Sequence, residues 1–101
     1  MYHVPIMRDG IVELLRIKRG GLYLDATLGG GGHSQAILDA GGRVTAIDRD
    51  DDAIEFCKAH VTGDITYIKG QYENAAKLLG SIGVTEISGA VMDCGVSSHQ
   101  L

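Results

Sequence analysis

The sequence predicts an α/β fold, a parallel sheet of four strands with helices in the connections. Three observations predict it. Short apolar or β-branched runs, at 22–24, 43–47, 64–68 and 88–92, alternate with stretches of helical apolar spacing. Three of these runs lead straight into an aspartate, Asp25, Asp48 and Asp93. Glycine makes up 15 of 101 residues and clusters at the junctions, about twice the usual ~7%. Strand–helix alternation of this kind closes into a parallel sheet through right-handed crossovers. Ligands of such sheets bind beyond the carboxyl ends of the strands. The informative residues are therefore Asp25 with the glycines after it, Asp48, Gly70 to Tyr72, and Asp93 to Gly95.

In chain order, residues 5–17 place Ile6, Met7, Ile11, Leu14, Leu15 and Ile17 near helical spacing, and Gly20-Gly21 end that segment. Leu22 to Leu24 form a short strand that runs into Asp25. Ala26 to Gly32 is a turn containing four consecutive glycines. Ser34 to Ala40 returns to helix with Ala36, Ile37 and Ala40 on one face, and Gly41-Gly42 stop it. Arg43 to Ile47 is the second strand. Asp50 is the expected N-cap of a helix with Ala53, Ile54, Cys57, Lys58 and Val61 on one stripe. Asp64 to Ile68 alternates as a third strand. Tyr72 to Ile82 carries helical spacing, with Gly83 as its stop. Ser88 to Met92 is the fourth strand, with no helix after it.

Bulk properties remove whole classes of protein. At 101 residues there is room for one domain. An apolar fraction of 45% against 22% charged residues indicates a globular chain. No run approaches the ~18 apolar residues of a membrane span. Arg8, Asp9, Glu13, Arg16, Lys18 and Arg19 exclude a secretory hydrophobic region in the first 20 residues. Cys57 and Cys94 are too far apart for a CxxC site and too few for a disulfide framework. No metal site is expected, and a cytoplasmic location is. Charge is uneven: residues 1–24 hold four basic and two acidic residues, residues 25–101 five basic and eleven acidic. Arg16, Lys18 and Arg19 read as a solvated helix end and at most an edge contact for nucleic acid.

The glycine run lies between a strand and a helix, where backbone N–H groups and the lack of Cβ suit close approach by an anionic or carboxylate-bearing ligand. It is not a GxGxxG fingerprint, because Ser34 or Gln35 stands where the third glycine belongs, and no Gly-Lys-Ser/Thr follows as in a P-loop. A plain tight turn is the alternative. Asp48 follows Gly29 by 19 positions, as does the acidic residue that accepts from ribose hydroxyls in nucleotide-binding sheets. Its alternative is a helix N-terminal charge in the run Asp48 to Asp52. An acidic second-strand end beside a loop unsuited to pyrophosphate favours S-adenosylmethionine (SAM) over a nicotinamide cofactor.

The chain resembles the amino-terminal part of the bacterial 16S rRNA cytosine-N4 methyltransferases, the MraW-type family. The matching segments are His3 to Met7 (HVPIM), Asp25 to Ser34 (DATLGGGGHS), Ala46 to Asp50 (AIDRD), Asp93 to Ser98 (DCGVSS), and Gln100-Leu101. The match covers the whole chain but about the first third of a family member. The resemblance implies a Rossmann-like class I methyltransferase half, with four parallel strands in the order 3-2-1-4. Residues 1–20 would form an arm and helix. Residues 21–101 would form a SAM-binding subdomain, cut before the substrate domain and the later strands. By position, Gly31, Gly32 and His33 would line the methionine end of SAM. Asp48 would hold the ribose, Tyr72 would lie beside the adenine where the family has Phe, and Asp93 and Gln100 would also contact the cofactor. His99 stands in place of a family Pro, and Cys94 in place of Leu.

The implied reaction is SAM-dependent methylation of the exocyclic N4 amine of a cytidine in small-subunit rRNA. Asp93 is the candidate catalytic group, orienting the amine or binding the SAM ammonium; a strand-end turn with Gly95 is its alternative. His33 reads as a helix-start residue that shapes the loop, and His3 as an arm residue. Tyr72 is alternatively a core aromatic, and Cys57 and Cys94 read as buried. Ser97 and Ser98 are weak candidates for phosphate contact. The expected partner of the full-length enzyme is 16S rRNA in the small ribosomal subunit. Two other readings remain: a non-catalytic fragment or small nucleoside-binding module, and a nicotinamide-binding domain, which the missing fingerprint disfavours. An open edge at the fourth strand, with Ala90-Val91-Met92, would invite self-association.

Overall fold

The structure, a computed structural model, describes residues 15–26, 28, 31–92 and 95–97. Most of the segment at 5–17, and with it the expected amino-terminal helix, lies outside them. The elements are β1 (Leu22–Asp25), α1 (Gly32–Asp39), β2 (Arg43–Asp48), α2 (Asp51–His60), β3 (Ile65–Lys69), a 3₁₀ turn (Tyr72–Asn74), α3 (Ala75–Ser81), β4 (Gly89–Met92) and β5 (Gly95–Ser97). The sheet order is β3-β2-β1-β4-β5. The first four strands are parallel, in the expected order 3-2-1-4.

Side chains alternate across the strands, so each strand feeds two cores. On one face Tyr23, Val44, Ala46 and Val91 pack with Ile37 of α1 and Ile54 and Cys57 of α2. On the other, Leu24, Ile47 and Ala90 pack with Ala75 and Leu79 of α3 and with Ile87. Burial on both sides is why the strands read as short continuous apolar runs. The crossovers through α1 and α2 lie on the first face, and that through α3 on the second. Chain direction across the sheet therefore reverses between β1 and β4, which places the switch point at the carboxyl ends of those two strands.

Local chemistry accounts for the helix ends. Asp50, in extended backbone, accepts a hydrogen bond from Asp52 N at 2.9 Å and so caps α2. Asp51 and Asp52 in the first turn, with Lys58 and His60 in the last, complement the helix dipole. Lys58 is exposed, so the buried stripe of this helix narrows to Ile54 and Cys57, continued by Val61 just past its end. The helix expected over 72–82 opens instead as a 3₁₀ turn, with Asn74 (φ −99, ψ 16) off helical geometry before α3 begins.

One element was not expected. Gly95–Ser97 pairs antiparallel with β4, in the register Met92↔Gly95, Val91↔Val96 and Ala90↔Ser97. An open strand edge presents unpaired N–H and C=O groups, and a short following segment satisfies them. β4 is therefore not an edge strand, and the expected self-association through it loses its basis.

Candidate functional site

The carboxyl ends of β1, β2 and β3 form one rim of the sheet. At the end of β1, Asp25 is fully buried and accepts a 2.5 Å hydrogen bond from Oγ of Ser34, itself buried in the first turn of α1. Ala26 N donates to Val91 O at 2.8 Å, so β1 stays tied to β4 where the chain leaves the sheet. The Asp25–Ser34 pair spans the glycine turn and fixes the start of α1 against the end of β1.

Within the turn, Gly31 N donates to Leu28 O at 2.7 Å, and Gly31 O accepts from Gln35 N at 2.9 Å. Gly31 is the N-cap of α1 with φ +85, in the left-handed region. A Cβ there would lie 2.5 Å from Cγ2 of Val61 and 3.1 Å from Sγ of Cys57. Helix α2 thus packs directly on the turn, and only glycine fits between them. Gly32 differs: among the described residues, a Cβ there would meet nothing within 4 Å, beside the first N–H groups of α1. His33 follows, half-buried.

Asp48 ends β2, half-buried. Its Oδ1 accepts from Asp50 N at 2.8 Å, and its backbone carbonyl accepts from Gly70 N at 3.0 Å. The carboxylate is held by its own turn, and Oδ2 has no hydrogen-bond donor among the described residues. Lys69, its register partner on β3, bonds Asp51 at 2.8 Å, and that contact raises the ammonium pKa. Tyr72 is 43% exposed just past β3, so it is not a core aromatic.

Gly31, Gly32, His33, Asp48 and Tyr72 are all brought to this rim, at the carboxyl ends of β1, β2 and β3. Asp93 and Gln100 lie outside the described residues, as do His3, Gly29, Gly30, Cys94, Ser98 and His99. Three residues were not anticipated in their roles. Ser34 holds Asp25, a pairing signalled only by a hydroxyl in the first helical turn after a strand-end carboxylate. Cys57 and Val61 brace Gly31 from a later helix. Burial pushes the Cys57 thiol up, and the charges of Asp25 and Asp48 push it the same way, so it is a neutral packing group rather than a nucleophile.

Among the described residues, no three His, Cys, Asp or Glu side chains are grouped to hold a metal, and no helix is long and apolar enough to cross a membrane. A groove of about 240 Å³ lined by Ala76, Leu79, Gly80, Val84 and Ile87 lies before β4, at the opposite end of that strand from the rim.

Comparison with known proteins bears on the family and the fold. The model of the MraW methylase family matches residues 1–101. The protein named ribosomal RNA small subunit methyltransferase H of Anaeromyxobacter sp. (strain K) is 41% identical over 98% of this chain and 33% of its own length. The protein of the same name from Cytophaga hutchinsonii is 41% identical over 100% of this chain and 35% of its own. The chain thus spans about a third of the curated relatives it matches. Among solved structures, the C-terminal domain of precorrin-6Y C5,15-methyltransferase from Rhodobacter capsulatus is similar, with TM-score 0.67 at 21% identity over 88% of this chain and 48% of that one. An rRNA methylase from Streptococcus thermophilus is similar with TM-score 0.63 at 19% identity, over 84% of this chain and 50% of that one. These likenesses show a Rossmann-like fold. With the family model matched along its whole length, the chain belongs to the MraW methylase family.

Proposed function

We propose that this chain is the cofactor-binding part of a SAM-dependent methyltransferase that modifies the exocyclic N4 amine of a cytidine in small-subunit rRNA, in the cytoplasm. The observation that carries the reading is the pairing of an open glycine turn with a fixed acceptor. Among the described residues, nothing meets a Cβ built on Gly32 at the start of α1, and one carboxylate oxygen of Asp48 has no donor at the neighbouring strand end. Such a rim fits a ligand with a carboxylate at one end and ribose hydroxyls at the other. It fits a pyrophosphate poorly, since Asp48, Asp50, Asp51 and Asp52 repel added negative charge.

Bound SAM would supply a methyl group on a sulfonium sulfur. In this reading Gly31, Gly32 and His33 line the methionine end, Asp48 accepts from the ribose, and Tyr72 offers an exposed ring to the adenine. Gln100 adds a polar contact. Asp93 orients the target amine and accepts the proton released as the nitrogen is alkylated. Cytosine N4 is delocalised into its ring, so the chain's task is alignment of donor and acceptor. Residues 21–101 act as the SAM-binding subdomain and residues 1–20 as its arm.

Calorimetric titration of the protein with SAM and with NAD tests this. SAM should bind, NAD should not, and Asp48→Ala should weaken SAM about 10- to 150-fold, the loss of hydrogen bonds to a charged acceptor. Preference for NAD, or unchanged SAM affinity in the variant, sinks the reading of the rim. Transfer of tritiated methyl groups to 30S subunits, measured on the same protein, separates an enzyme from a binding module.

A further inference from the structure

The end of the sheet opposite the rim carries a different charge. Arg16, Lys18 and Arg19 precede β1, and Arg43 opens β2, so the fold brings Arg43 to a basic segment more than twenty residues earlier in the chain. All four are exposed, and among the described residues none forms an ion pair. Their backbone is fixed. Gly20 N donates to Gly41 O at 2.8 Å, Gly21 N to Lys18 O at 2.9 Å, and Arg43 N to Gly21 O at 2.8 Å. Lys18 N donates to the Tyr23 hydroxyl at 2.8 Å, and Arg43 Nε to Gly20 O at 2.9 Å. The Arg19 stem packs across Gly41, and Arg16 holds φ +50, uncommon for a residue with a Cβ.

Exposed cations are ordinarily balanced by neighbouring carboxylates, and the ion pairs Lys58–Glu55 and Lys69–Asp51 lie elsewhere. Here four cations gather at the heads of two strands about 4.8 Å apart. Among the described residues Asp39, Asp64 and Glu86 share this end of the sheet, Asp64 beside Arg43 in the register, and none of the four cations forms an ion pair with them. Unpaired cations on a pinned backbone are the footprint of phosphate contact, because the positioning cost is met before binding.

We propose that Arg16, Lys18, Arg19 and Arg43 form a docking surface for an RNA phosphate backbone. The surface is remote from the rim and contacts a part of the substrate distant from the modified base. The choice of RNA over other polyanions rests on the methyltransferase reading above. The surface serves to position the substrate through its phosphates.

The test is fluorescence anisotropy with a labelled RNA hairpin between about 50 and 200 mM KCl. Replacing Lys18, Arg19 and Arg43 together by Gln should weaken binding and flatten the log K against log[salt] slope by about one unit for each phosphate contact removed. The Lys18→Gln, Arg19→Gln double variant leaves the Arg43 bond to Gly20 intact and should show a smaller change in the same direction. Lys58→Gln and Lys77→Gln should leave the slope unchanged. An unaltered slope in both surface variants, no binding of the hairpin by the parent protein, or binding to phosphatidylserine vesicles in place of RNA overturns the proposal. SAM titration on the same samples keeps the two readings apart. Surface variants should bind SAM as the parent does, and failure of the parent to bind SAM refutes the cofactor reading alone.

Discussion

Replacing Gly31 by Ala places a methyl group where the structure has no room. Two costs follow from the geometry. At φ +85 an L residue with a Cβ is disfavoured by roughly 1–2 kcal/mol. The new Cβ would also lie 2.5 Å from Val61 Cγ2 and 3.1 Å from Cys57 Sγ, and overpacking of that kind costs about 1–3 kcal/mol. The expected loss is therefore ~2–5 kcal/mol, a large share of the ~5–15 kcal/mol of a typical domain. Urea unfolding followed by circular dichroism measures it. Val61→Ala removes the closer obstacle, so the double variant should be more stable than the sum of the single losses requires, by about 0.5–3 kcal/mol. Gly32→Ala is the control: its Cβ meets none of the described residues, and Ala favours helix over Gly by up to ~1 kcal/mol, so stability should hold or rise while SAM affinity falls. A Gly31→Ala protein within about 0.5 kcal/mol of the parent, or simple additivity with Val61→Ala, would refute the brace.

Ser34→Ala should cost about 1–3 kcal/mol in the same unfolding assay, because it leaves the buried Asp25 carboxylate short of a donor. Stability should also depend on alkaline pH. The Cys57 thiol ionises less readily folded than unfolded, so its contribution is complete below the ordinary value of 9.0 and is lost as pH rises above it. Tyr67, whose buried hydroxyl lacks a partner among the described residues, adds a similar loss above 10.0. Unfolding at stepped pH should show a decline that Cys57→Ala removes from the first interval; an unchanged decline in that variant would clear the thiol of the effect.

The strands were legible because each has a chemical boundary. Leu22 to Leu24 begin after Gly21 and run to Asp25, and Arg43 begins after Gly42. The Asp50 cap was legible for the same reason, since its partner is two residues away. What escaped the sequence depends on distance along the chain. Val61 stands thirty positions after Gly31, and nothing in either local pattern announces that a helix will lie on the turn. Arg43 likewise joins Arg16, Lys18 and Arg19 only after the 18–21 and 40–43 segments zip together. Strand β5 was missed because its pairing reflects the open side of β4 more than any signal in Gly95 to Ser97. The site residues were visible as a set of strand ends, whereas the division of labour between Gly31, which fills a packing constraint, and Gly32, which faces open space, was not.

The contact of α2 with the glycine turn has a thermodynamic side. A ligand that binds only the folded rim adds RT ln(1 + [L]/Kd) to the stability of whatever must be intact to form it. Since Cys57 and Val61 hold Gly31 in place, that includes α2, although neither residue reaches the rim itself. Occupancy is then reported at a distance: amides along α2 gain hydrogen-exchange protection with the turn, while those of α3, on the other face of the sheet, gain only what global stability confers. Under the proposed function, ligand binding at the rim and the order of the second helix form one cooperative unit.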